Sequence, residues 1–172
     1  MGKKPDIDEV INKAIARAVE AGRISAERTA KDAFKATERR LYALPILRQR
    51  LEDNRERLAE LEEYGPRGRS KSITRFQKSG VRLSPDEIYD AIHADMVATI
   101  DADEYEIADM ERALAVVADD EYYQTVTGRY FEKLPDEQVA ELIPCDTSTV
   151  WRNRKRLVQQ IAVLLYGADA VK

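Results

Sequence analysis

Along most of this chain the apolar residues recur three and four positions apart, and no stretch alternates in steps of two. The first spacing lines one face of a helix, whereas strands need the second. An all-α fold is therefore predicted. With only 7 Gly and 6 Pro in 172 residues and 35% charged side chains, the composition suits long solvated helices.

Three regions emerge. In the first, residues 1–63, Ile7, Val10, Ile11, Ala14, Ile15, Ala18 and Val19 share one helical face over 6–21, and Gly22 is a stop signal. Ser25 is a candidate cap for the helical stretch that follows. There Phe34, Leu41, Leu44, Leu51 and Leu58 fall at three- and seven-residue steps, close to a heptad seam interrupted by Arg48 and Arg55. Pro45 removes a backbone donor and is expected to kink or split this helix near 42–44. Periodicity leaves two readings open: packed helices of a small bundle, or a dimerising hairpin or coiled coil that would make the chain a homodimer.

Residues 64–83 form a basic linker with Gly65, Pro66, Gly68, Ser70, Ser72, Ser79 and Gly80. Within it, 65–82 holds six basic residues and no acid, Arg67, Arg69, Lys71 and Arg75 among them. Such a run is either a solvated connection or a flexible arm that tracks phosphates.

The third region, 84–172, opens on Ser84-Pro85-Asp86-Glu87, a capping box with proline at the first helical position. Ile88, Ile92, Met96 and Ile100 follow at four-residue steps. A separate helix is predicted over 103–118 on Ile107, Met110, Leu114 and Val117. Another is predicted over 120–133, where Tyr122, Tyr123 and Tyr130 suit packing better than base stacking. Thirteen acids against Arg112 alone in 83–127 account for the formal charge of -4. That block hides the cationic surfaces on either side of it. Local charge, and not the sum, decides whether a polyanion can bind.

Several classes are excluded as expectations. One Cys and one His support neither a disulfide framework nor a zinc site, and Cys145 reads as a small buried residue. There is no phosphate-cradling glycine loop, and His93 lies in an amphipathic helix without a nucleophile partner. No catalytic residue, metal or cofactor is expected. With no apolar run near the roughly 20 residues of a membrane span and no signal peptide, a cytoplasmic protein is expected.

The chemistry concentrates from residue 134 onward. A short helix over 135–142, with Val139, Ala140 and Ile143 inward, precedes a turn at Ile143, Pro144 and Cys145. Asp146 or Thr147 would cap the next helix. In that helix Val150, Leu157, Ile161 and Leu164 would face the core. The opposite side carries Thr147, Ser148, Trp151, Arg152 and Lys155, with Arg154 and Arg156 beside them. Hydroxyls and guanidinium groups on the first turns of a helix suit base edges and phosphates, as in the second helix of a helix-turn-helix.

Arg112-Ala-Leu, Arg129-Tyr-Phe-Glu, Glu137-Gln-Val-Ala-Glu-Leu, Ser148-Thr-Val-Trp-Arg and Leu164-Leu-Tyr-Gly carry a resemblance across 105–167. That region resembles the C-terminal part of phage ArpU/RinA-type late transcriptional regulators, which are similar to the fourth conserved region of sigma factors. The resemblance implies promoter DNA as partner, RNA polymerase as a second one, and late phage or prophage genes as targets. One departure is Pro144, where the usual turn has a left-handed glycine; proline cannot adopt that conformation. Two other classes fit the same elements: a small-terminase-like packaging protein, and a polymerase-binding module that does not read DNA. The acidic block would limit non-specific DNA binding or meet a basic patch on the polymerase.

Overall fold

The computed structural model describes residues 32–66 and 84–170, together with Arg17. The helix expected over 6–21, the Ser25 cap, and Arg67, Arg69, Lys71 and Arg75 lie outside the described residues. Those described build an all-α fold of five α-helices and a terminal 3-10 turn, with no strand among them.

Helix α1 spans Ala33–Tyr64. Asp32 starts it by accepting from the Lys35 amide at 3.0 Å. Gly65 ends it at φ 73, its amide donating to the Leu61 carbonyl. Pro45 lies inside an unbroken helix, so the expected split at 42–44 does not occur. A mid-helix proline costs about 3 kcal/mol. Leu41, Leu44, Leu51 and Leu61 on both sides of it are buried, and their packing offsets that cost.

Helix α2 spans Pro85–Val117. Both bonds of the capping box form: the Glu87 amide donates to Ser84 Oγ at 3.3 Å, and the Ser84 amide to Glu87 Oε2 at 2.7 Å. The chain does not break before 103, so one long helix replaces the two expected. Asp103, the expected start of the second of those helices, is buried and ion-paired with Arg50 of α1.

The two long helices run antiparallel. Arg40 pairs with Asp109 at 3.1 Å and with Glu106 at 3.6 Å, Arg50 with Asp103, and Glu62 meets His93 at 3.0 Å. Arg48–Glu111 and Arg55–Glu104 lie outside this row at 2.7 and 2.9 Å. Asp103, Glu104, Glu106, Asp109 and Glu111 of the acidic block thus neutralise arginines of α1. The exposed pairs contribute about 0–1 kcal/mol each. Arg40 differs, because its side chain is 4% exposed and its charge lies 5.9 Å from the centre of the Tyr166 ring. Removing a partner of so buried a charge costs on the order of 3–5 kcal/mol.

Three shorter elements complete the fold: α3 at Gln124–Tyr130, α4 at Asp136–Leu142 and α5 at Thr147–Tyr166. Each packs on the other two, and α5 also packs on α1 and α2. Leu41, Leu44, Ile107, Met110, Leu157 and Ile161 therefore share one core. The stretch expected as a helix over 120–133 is helical only in α3, because 118–123 is spent on turns. Buried Tyr130 donates its phenol proton to Glu38 at 2.7 Å and meets Tyr42 edge-on, tying α3 to α1. Burial pushes the Tyr130 phenol far above its usual range, and the bond to Glu38 adds to this. Tyr122 and Tyr123 pack against the core.

Candidate nucleic-acid interface

Helix α5 is acid-free along its whole length and carries four cations. Its inner face is set by Val150, Leu157, Val158, Ile161, Ala162 and Leu165, all buried. Leu164, expected inward, is 50% exposed. From residue 157 onward the buried stripe is Leu157, Val158, Ile161, Ala162, Leu165 and Tyr166, which join one core with residues of α1 and α2 and leave Leu164 outside it.

The connection from α4 to α5 is residues 143–146. Among the described residues the only positive-φ positions are Lys133, Gly65 and Gly167, so this turn uses no left-handed residue and accommodates Pro144. The Ile143 amide donates to the Val139 carbonyl at 3.1 Å and the Cys145 amide to the Ala140 carbonyl at 3.4 Å. Cys145 is half-buried and not enclosed as expected. Asp146 occupies the cap position of α5, yet its side chain makes no capping bond. Its carbonyl accepts from the Thr149 and Val150 amides at 2.9 and 3.0 Å instead. Ala140 and Ile143 are half-buried, and Val139 alone of α4 is fully enclosed. Val139 is also where α3 comes close, since a Cβ on Gly128 would meet its Cγ2 at 3.0 Å.

The seven α5 candidates separate into two groups. Thr147, Ser148, Trp151, Arg152 and Lys155 are exposed on one side of its first half. Arg152 makes no ion pair with any described residue. Lys155 Nζ lies 5.2 Å from the centre of the Trp151 ring, a cation–π contact that lays the lysine along the helix surface. The other two arginines are committed. Arg154 grips Asp136 through both terminal nitrogens, at 2.5 and 3.0 Å, with its side chain 11% exposed. Arg156 grips Asp120 through two bonds of 2.9 Å, while its Nε donates to Asn153 Oδ1 at 3.3 Å. Each guanidinium holds its carboxylate partner below the usual range, by hydrogen bonding first and charge second.

These partnerships have no signal in the sequence. Asp136 and Arg154 are 18 positions apart and Asp120 and Arg156 are 36 apart, on elements whose relative placement only the fold determines. The run of four cations read as uniform; the fold makes two of them available and pairs two.

Compared with known proteins, the chain matches no family model, no curated protein and no solved structure. No helix among the described residues is long and apolar enough to cross a membrane.

Proposed function

We propose that the chain is a sequence-specific DNA-binding regulator of late phage or prophage genes, with α5 entering the major groove N-terminal end first. One observation carries this reading. An acid-free helix with a fully buried rear face presents two hydroxyls, an aromatic ring and two cations together on its outer first turns. That set suits base edges and phosphates, and a surface that only needed solvation would not require it. α4, the turn at 143–146 and α5 together form the helix-turn-helix of this proposal. The late-gene assignment rests on the resemblance of 105–167 to ArpU/RinA-type regulators.

Selection from pooled random duplexes at two salt concentrations tests the reading. An enriched motif is expected, and its enrichment is lost in an Arg152→Ala/Lys155→Ala double variant. A side chain that reads a base costs about 1–3 kcal/mol on removal, whereas one that touches phosphate shallows the salt slope by about one unit. Full wild-type affinity and motif in the double variant would refute the assignment.

A further inference from the structure

Ser148, Arg152 and Arg156 succeed one another at four-residue steps and form one row along α5. A duplex lying along the outer first turns of α5 would meet Arg156 at the end of that row, but with a carboxylate already on its fork. Asp120 accepts from both terminal nitrogens of Arg156 at 2.9 Å. It is itself fixed in the turn between α2 and α3 by the Tyr122 amide, which donates to it at 3.0 Å. The Arg156 side chain remains 42% exposed and within reach of a ligand.

Two roles suit such a pair. It holds the turn to α5, and its bidentate geometry lifts it toward the top of the roughly 0–1 kcal/mol of an exposed pair, while the exposure of Arg156 leaves it open to a second role. That second role is to act on what approaches from outside. A carboxylate and a phosphate compete for the same guanidinium fork, since both present two oxygens at matching spacing. Asp119 and Glu121 flank Asp120 and are exposed, so the same turn repels a phosphate that comes near.

We infer that Asp120 is an internal competitor of the DNA backbone, which withholds Arg156 from phosphate and lowers non-specific affinity. This rests on the DNA-binding reading above. Random duplex then engages Arg152 and Lys155 but gains little from Arg156. Only a duplex whose backbone is held against α5 by matched base contacts can displace Asp120. The pair thereby widens the gap between specific and non-specific binding without touching a base.

The test is a salt titration of a random-sequence 20-bp duplex (length chosen to be about two helical turns) against the full chain. Wild type, Asp120→Asn, Arg156→Ala and the double variant are compared. Asparagine keeps the acceptor for the Tyr122 amide and removes the charge. The expected result for Asp120→Asn is tighter binding at low salt, with a log–log salt slope steeper by about 0.9, the value for one added phosphate contact. Arg156→Ala should bind random duplex no more tightly than wild type and with the wild-type salt slope, and the double variant should lose the gain. Wild-type affinity and slope in Asp120→Asn overturn the inference while leaving the DNA reading intact. So does a gain that survives in the double variant, since it would reflect charge removal alone. Absence of binding by every protein at the lowest salt overturns both. Thermal melts followed by helical circular dichroism accompany each variant. If Asp120→Asn does not fold, Asp120→Ser is read in its place by the same criteria.

Discussion

Arg154 on α5 holds Asp136, the first residue of α4, through two hydrogen bonds, one to each carboxylate oxygen. This clamp joins the two helices across their turn. Asp136→Asn leaves the guanidinium, 11% exposed, without its counter-charge. The expected cost at neutral pH is about 1–3 kcal/mol, read from denaturant midpoints.

The same clamp gives stability a sign in acid. The Asp136 and Asp120 carboxyls are held below their unfolded values by hydrogen bonds from Arg154 and Arg156. Their contribution is complete above the unfolded value of about 3.9 and is lost as pH falls through the lower folded values. The melting temperature is expected to drop in that acid window, and less steeply in Asp136→Asn. An acid limb with the wild-type slope in that variant would show that other carboxylates govern it.

Gly128 is expected to reject a side chain. An alanine Cβ there meets Val139 Cγ2 at 3.0 Å, so the valine methyl must give by a few tenths of an ångström. Overpacking of this kind costs about 1–3 kcal/mol. The penalty of Gly128→Ala should shrink when measured in a Val139→Ala background, where the clashing methyl is gone. Equal penalties in both backgrounds would place the strain elsewhere.

Lys133 offers the opposite case. It is exposed and the one non-glycine residue at positive φ among those described, at 58°. Its conformation lets the Leu134 amide return to the Gly128 carbonyl at 2.9 Å. A left-handed L-residue costs roughly 1–2 kcal/mol, which glycine avoids. Lys133→Gly should therefore raise the melting temperature, and a fall would show that the lysine makes contacts that outweigh its strain.

Trp151 is the sole tryptophan and is 53% exposed within the proposed interface. Its emission should change on titration with a selected duplex, and Arg152→Ala/Lys155→Ala should abolish that change at equal concentration. A response that persists in the double variant would separate the ring from the binding event.

What could be read beforehand followed local physics. Ser84 and Glu87 announce their own helix start, because both capping bonds lie within four residues. The buried row of Val150, Leu157 and Ile161 follows from periodicity alone. Misreadings arose where tertiary packing outweighed a local rule. Pro45 is carried through by leucines on both sides of it. The helix expected to begin at 103 is the middle of a longer one, and Asp103 there is buried because Arg50 lies opposite. Leu164 keeps the helical period, yet the face that must be covered shifts when two more helices arrive. Arg154 and Arg156 could not be told from Arg152, because what distinguishes them is an acid on another element, Asp136 of α4 or Asp120 of the turn before α3.

The Tyr130 phenol bonded to Glu38 makes α3 answer to α1. With the α3–α4–α5 unit packed on the long antiparallel pair, α5 has no swivel of its own: its bearing is that of the whole hairpin. Whatever tilts the hairpin tilts α5 with it, so a load applied at the far end of the long helices would be felt at Trp151 as rotation and not as slack.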